Sequence, residues 1–572
     1  MELHANTRTL GALLSENKKY VVPRFQREYS WTKDEVSVLW ADICRQIKFT
    51  KGKPSLAEYF VGCLVLAGED KSHALKIVDG QQRLTTITIL LRALIKSLQT
   101  NGDSKSAKSL YENYIEGNDD EGHEFFKLEN ETPQAFFQAS IQQLDQKQVA
   151  PATEEERLLR GAYDDLLSKM SEANLLPEFS DVPYKSKLAA LRQQVLNNLK
   201  FIHILVSDED HAYTIFETLN ARGMNLSAMD LVKNWIFKHL PKEYPIDNAK
   251  LAWKQMSDEL SSGPQAIDKD VFFRHYWLSR YSYVSEGRIY AAFRGLADVG
   301  KITAESFQRQ LLDDAAIYWK LAYPNPDDYK SIIDKQIYDS LASLSLFRVS
   351  QVRPLLLALY HAKSQKRIQI KRYARLLKLL EDFHFAFTVI SAARSSGLDG
   401  KYAKFARDIR NSTSATILEV LSALEEELQA KWPTLEVFRD GVARLWFTND
   451  NAKDKKTIQY LFAKYEKHLR KTKELALGEI SLEHIAPQSL KPLKEEFGRV
   501  GNLLPLCVEL NGKAGSKSFI EKLAIYKDSD LKTVAEFAKL YRKQTKWDAS
   551  LISRRTSAIA EVCYEKIWPP KK

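Results

Sequence analysis

Short apolar runs broken by turn residues open the chain: Tyr20-Val21-Val22 before Pro23, Tyr59 to Leu66, and Leu75-Lys76-Ile77-Val78. Runs of this length, rich in β-branched and aromatic residues, predict strands. Asp34–Ile47 and Leu84–Leu98 instead repeat apolar residues at helical spacing, so the opening section predicts an α/β domain. Apolar content falls across Asn101–Glu131, where Gly-Asn-Asp-Asp-Glu-Gly at 117–122 predicts an exposed excursion. A strand at Phe201–Val206 precedes a helical run at Ala212–Asn220, a glycine-centred turn, and a helix from Met229 to Leu240. From about Pro241 to Arg439 the pattern is helical almost throughout, as in Tyr373–Arg394 and Ser414–Leu428. After a lysine-rich turn at 453–456 and a helix through Arg470, short apolar pieces and Gly501, Gly512 and Gly515 change the texture before helices return. The order predicts an α+β, predominantly helical chain in three domains, 1–240, 241–440 and 441–572.

Composition narrows the class. With 572 residues, 44% hydrophobic and 28% charged, the chain is globular rather than disordered or fibrous. The net charge of +10 lies wholly in the last 122 residues, where 25 basic face 15 acidic residues and the rest of the chain balances. A basic terminal domain on a neutral body suits a polyanion such as nucleic acid; lysines serving only solubility are the competing reading. Cys44, Cys63, Cys507 and Cys563 form no CxxC pair, which argues for a reducing compartment and against a disulfide framework or a Cys-rich zinc site. No signal-peptide-like or membrane-spanning run is present, and the chain reads as soluble and cytoplasmic.

Several features resemble sites without carrying chemistry. Gly295 to Lys301 has phosphate-loop spacing, but Ile302 replaces the metal-binding hydroxyl and the preceding segment reads as helix. Phe272, Phe273, Tyr276 and Trp277 fit an amphipathic helix core better than a base-stacking platform. His203 and His384 read as satisfied core residues. The strongest cluster is Ser481-Leu482-Glu483-His484-Ile485-Ala486-Pro487-Gln488, followed by Gly501-Asn502-Leu503 and Asn511. An imidazole supplies a base near neutral pH, a carboxylate and a carboxamide oxygen are hard ligands for Mg²⁺ or Mn²⁺, and Asn502 can orient the ring. On residue types alone, a hydrogen-bonded structural histidine is the default.

With Ser518-Phe519, Lys522, Tyr526, Ser529, Trp547, Ile552 and Arg555 added, this string resembles the HNH nuclease domain of GmrSD-type modification-dependent restriction enzymes. The resemblance implies a ββα-metal fold, His484 as general base, Glu483 and Asn511 as metal ligands and Asn502 as orienting residue. Phe519 and Tyr526 read as core, and Lys522 as a phosphate contact or a solvent-facing residue. Four N-terminal blocks, Val22 to Trp31, Tyr59 to Gly62, Ile77 to Thr86 and Phe216 to Asn234, resemble the ParB-like domain of the same enzymes. They imply a ParB/sulfiredoxin-like α/β domain that binds or hydrolyses a nucleotide, GTP or ATP, and senses modified DNA. Arg24, Gln26, Arg27, Asp79, Gly80, Gln81, Gln82, Arg83, Asn220 and Arg222 are the binding residues it suggests. A glycine turn opening a helix with two glutamines and an arginine also reads physically as an anion site, against a Gln/Arg network that knits the domain together.

The expectation is a phage-defence endonuclease that cuts double-stranded, modified phage DNA, with no membrane partner and with a homodimer allowed. The rival is an NTP-responsive DNA-binding regulator that does not cut; a missing nuclease ligand would favour it, and none of the four positions is vacant.

Overall fold

Six short strands form one mixed sheet: β1 (Leu3–Thr9), β2 (Lys19–Val22), β3 (Tyr59–Ala67), β4 (Ala74–Asp79), β5 (Leu128–Asn130) and β6 (Leu199–Val206), in the order β1-β6-β3-β4-β2-β5. Three of the pairings, β6 with β3, β4 with β2 and β2 with β5, are parallel. β1 with β6 and β3 with β4 are antiparallel. The apolar runs predict β2, β3, β4 and β6. They do not predict β1, whose central His4, Asn6, Thr7 and Arg8 conceal an edge strand. This computed structural model describes residues 3–23, 26, 28–119, 121–131, 135–207, 227–241, 247–393, 397–470, 480–487 and 496–570.

The helix Gln81–Thr100 starts where β4 ends and is buried on nearly every face, with Leu84, Ile87, Leu90, Leu91 and Leu94 wholly enclosed. A helix apolar all round belongs at the centre of a core, and this one anchors the main hydrophobic cluster of the unit Met1–Lys242. Arg92 on the same helix is also buried. It donates from Nε to the Ile141 carbonyl at 2.8 Å and from Nη2 to the Gln143 carbonyl at 2.7 Å, closing the chain around the helix.

The second unit, Glu243–Lys572, is described by itself. Its described residues from 248 to 470 form helices and no strand, as the periodicity predicts. Phe272, Phe273, Tyr276 and Trp277 are fully buried, in ring contact with Phe293, Phe307 and Tyr318, so they are core and not a stacking platform. Gly295 lies within the helix Ile289–Ala297, which leaves no strand before it for a phosphate loop. His384 is satisfied by Thr388 Oγ1 and Tyr402 Oη, both at 2.9 Å, and His203 is buried on β6.

The helical middle and the C-terminal segment pack together. Glu381, with no exposure, accepts from Ser340, from Tyr460 Oη at 2.6 Å and from Lys464 Nζ at 2.5 Å, while Phe385 and Trp568 approach to 4.3 Å between centroids. The texture changes near 440 along the chain, but the packing runs through it. Among the described residues no helix is long and apolar enough to cross a membrane.

Candidate active site

β7 (Ser481–His484) pairs antiparallel with β8 (Leu503–Leu506), with Glu483 opposite Leu504 and His484 opposite Leu503, and the helix Val508–Ala514 follows. A strand alternates its faces, so the adjacent Glu483 and His484 must point apart. The contacts follow that rule. His484 Nε2 lies 3.0 Å from the Phe447 carbonyl, and the two rings stack at 5.4 Å. A carbonyl only accepts, so Nε2 carries the hydrogen and the neutral ring keeps its lone pair on Nδ1. Burial holds this imidazole below its ordinary pKa, against the Phe447 carbonyl and with a further push from the Lys522 charge, which favours the neutral form.

On the other face Glu483 Oε1 accepts from Lys522 Nζ at 2.6 Å and from Tyr526 Oη at 3.3 Å. Lys522 also donates to the His484 carbonyl at 2.6 Å. Both charged side chains are almost wholly enclosed, at 1% and 4% exposure for lysine and glutamate. Burial outweighs the pairing for each: it raises the glutamate pKa and lowers that of the lysine. Lys522 therefore neither faces solvent nor reaches a phosphate; its ammonium is an internal partner.

Asn511 Nδ2 donates to Ser481 Oγ at 2.9 Å and to the Leu482 carbonyl at 3.3 Å, so its carboxamide stands beside β7 on the Glu483 side. Its Oδ1 accepts no hydrogen bond among the described residues, which leaves a hard oxygen for another partner. Asn502 is fully buried and spends its amide on backbone. Oδ1 accepts from Ala486 N at 2.8 Å, and Nδ2 donates to the Ala486 and Phe497 carbonyls at 3.0 and 2.9 Å. Its own carbonyl accepts from Ile485 N at 2.8 Å. The sequence predicts that Asn502 orients the imidazole; the contacts fix the main chain immediately after His484, and any orientation passes through that backbone.

Gly501 is where this turn meets the helix Ala549–Val562. A Cβ there would stand 2.0 Å from the Ile552 carbonyl oxygen, and Gly501 N donates to Thr556 Oγ1 at 3.0 Å. Arg555, buried in the same helix, donates from Nη1 to the Gly501 and Leu503 carbonyls at 2.7 and 2.8 Å. Sequence reading missed Phe447, because what it contributes is a backbone carbonyl that residue type does not encode.

A divalent cation would meet hard oxygens here, the Glu483 carboxylate and Asn511 Oδ1, which is the right donor chemistry for Mg²⁺ or Mn²⁺. Among the described residues no group of three or more His, Cys, Asp or Glu side chains is placed to hold a metal ion. A cation at this site would complete its shell with water and substrate oxygens, as Mg²⁺ sites with one or two protein ligands do.

The N-terminal candidates divide differently. Gly80 has φ 98° and caps the helix Gln81–Thr100, with Leu64 Cδ1 2.8 Å from where a Cβ would lie. Asp79 accepts from Gly80 N at 2.7 Å and pairs with Arg83 Nη2 at 3.3 Å. The Arg83 guanidinium in turn lies over Gly62, where a Cβ would meet Nη1 at 1.9 Å. Gln82 accepts from Ser30 N at 2.9 Å and donates to the Glu28 carbonyl at 3.1 Å, while Gln26 donates to the Val78 carbonyl at 2.8 Å. These two glutamines knit backbone segments together; Gln81 is buried beside them. Arg24, Arg27, Asn220 and Arg222 lie outside the described residues.

The chain matches the N-terminal domain of the GmrSD restriction endonuclease over residues 10–237 and the C-terminal domain of GmrSD restriction endonucleases over residues 437–562. No curated protein matches it. The two matches hold both candidate sites and lie in the family's order along one polypeptide, and the chain belongs to the GmrSD restriction endonuclease family.

Proposed function

We propose that this protein is a metal-dependent DNA endonuclease of the HNH type that cuts modified phage DNA in the cytoplasm. The single observation that carries the reading is the 3.0 Å contact of His484 Nε2 with the Phe447 carbonyl. A carbonyl only accepts, so Nε2 carries the hydrogen in the neutral ring that burial favours, and the lone pair is on Nδ1. On this reading Nδ1 takes a proton from the attacking water, and the oxygen so activated displaces the leaving oxygen at phosphorus. A divalent cation, when bound, supplies neutralisation of the charge that develops on the phosphate oxygens. Glu483 and Asn511 are the oxygens this chain offers it, and Asn502 holds the turn in register. The β-β-α order of the segment supports the HNH assignment.

The N-terminal domain is proposed to bind GTP or ATP near the Asp79–Arg83 turn and to sense the modification, a reading that rests on the family resemblance. The test is plasmid cleavage with Mg²⁺ or Mn²⁺, using modified and unmodified DNA with and without each nucleotide. His484→Ala abolishes nicking and leaves DNA affinity within about twofold of wild type. A variant that cuts normally removes His484 from the mechanism.

A further inference from the structure

In the helical middle, outside both family matches, a cavity of about 300 Å³ opens beside Tyr281, Gln365 and Asn411. Its lining includes three guanidinium groups, Arg280, Arg367 and Arg410, and no carboxylate. Asp314, which has no exposure and does not line the cavity, pairs with two of these groups. Arg280 donates to Asp314 Oδ2 from Nε and Nη2 at 3.2 and 3.0 Å, Arg410 Nη2 reaches the same oxygen at 3.4 Å, and His361 Nε2 takes Oδ1 at 2.5 Å. One carboxylate thus answers two arginines. The third, Arg367, uses Nη1 on the Ile409 and Ser412 carbonyls and Nε on Gln365.

Helix capping explains Arg367 but not the other two. Among the described residues Arg280 and Arg410 make no hydrogen bond to a helix carbonyl, and apart from Asp314 Arg410 donates to Ser279 Oγ, at 3.2 Å. Arg410 Nε is buried without a partner. Burial and the neighbouring Arg280 charge push the Arg410 pKa down to about 10, a sign that its charge is poorly compensated. Three arginines against Asp314 leave a surplus of two positive charges. The cavity also meets the C-terminal ends of the helices Lys269–Arg280, Arg353–Ser364 and Leu398–Asn411. At about half a negative charge each, those ends reduce the surplus without cancelling it.

We infer that this cavity is a binding site for the terminal phosphate of a small phosphorylated molecule. Guanidinium forks match phosphate oxygens in geometry; with about half a positive charge left after Asp314 and the three helix ends, it is this geometry rather than a charge surplus that selects a phosphate. The volume lies at the lower end of small-ligand sites. It accepts an end group more readily than a duplex backbone, in which each phosphate is flanked on both sides.

The test is calorimetric titration of the full chain with inorganic pyrophosphate. Arg410→Gln is expected to weaken binding at least tenfold, and so is Gln365→Trp, which plugs the exposed mouth without removing a guanidinium and serves if Arg410→Gln does not fold. Lys105→Ala, an exposed position in the other unit, leaves this affinity unchanged. Absence of wild-type binding at 10 mM overturns the inference, as does equal affinity in Gln365→Trp. Displacement of pyrophosphate by equimolar duplex DNA also overturns it, since the phosphate bound there would then belong to DNA.

Discussion

Replacing Lys522 with Met removes one of two opposite charges that are almost wholly enclosed. Glu483 would keep the Tyr526 hydroxyl at 3.3 Å but lose its charged partner, and the His484 carbonyl would lose a donor. Breaking a buried pair in this way costs about 3–5 kcal/mol. The carboxyl has an escape, because it can take up a proton. Protonating an ordinary glutamate of pKa about 4.3 at pH 7 costs about 3.7 kcal/mol, and burial already raises this one, so about 3 kcal/mol is the reasonable ceiling. The sign follows directly. A carboxyl whose folded pKa lies above its unfolded value favours the fold at low pH and loses that contribution as pH rises through the folded pKa. The penalty of Lys522→Met therefore shrinks from pH 7 to pH 5, where protonating an ordinary glutamate costs only about 1 kcal/mol. A chain of two units does not give one clean unfolding transition, so the assay is hydrogen exchange at the amides of the helix Phe519–Tyr526. Their protection should fall roughly a hundredfold at pH 7 and less than tenfold at pH 5. Adding Glu483→Leu removes the stranded carboxylate and should restore most of the loss. Unchanged protection in the single variant, or a double variant as labile as the single, would refute the claim that the two charges depend on each other.

Two further outcomes follow from the same domain. If His484 is the base we propose, the acid limb of the pH–rate profile for cleavage should lie below the ordinary histidine value, since burial lowers its pKa; a limb centred above pH 7 in plasmid nicking would contradict this. Gly501→Ala sets a Cβ against the Ile552 carbonyl and Thr556 Oγ1, and backbone cannot yield as a flexible side chain can. The expected loss is about 1–3 kcal/mol or more, read as reduced amide protection around Leu503–Leu506, and full protection there would disprove the close approach.

Much of this architecture can be read from residue pattern. Four of the six sheet strands, the helices Gln81–Thr100 and Lys455–Arg470, and the buried aromatic group at 272–277 follow from periodicity, because burial on a strand or helix leaves a local trace. The candidate motif segments were legible too. What each polar side chain does with its hydrogen bonds was not. Lys522 reads as a surface or phosphate-binding lysine, yet it meets Glu483 across 39 positions of chain, and His484 meets Phe447 across 37. Asp314 and Glu381 are acids of a type that is rarely enclosed, and only the partners brought by other helices make their burial tolerable. Long-range pairing leaves no periodic signal, so these contacts had to come from the fold.

The hydrogen-bond inventory separates scaffold from chemistry within the motifs themselves. Gln26, Gln82 and Asn502 are motif carboxamides, and each is bonded to main chain. The glycines beside two of them, Gly80 and Gly501, stand where a Cβ would collide with a neighbour. Such residues can be fixed in a family without touching any ligand, since their loss would shift a turn and move whatever that turn carries. Asn511 differs: its amide hydrogens are held by β7, and its carbonyl oxygen keeps its acceptor capacity among the described residues. His484 differs from them too, since its Nε2 contact goes to the Phe447 carbonyl, a residue outside both motif blocks. Reactive capacity in the nuclease segment is thus concentrated in two side chains on opposite faces of a four-residue strand. Their relative position is set by the β7–β8 pair, which is held where it turns by the Asn502 carboxamide and the Arg555 clamp.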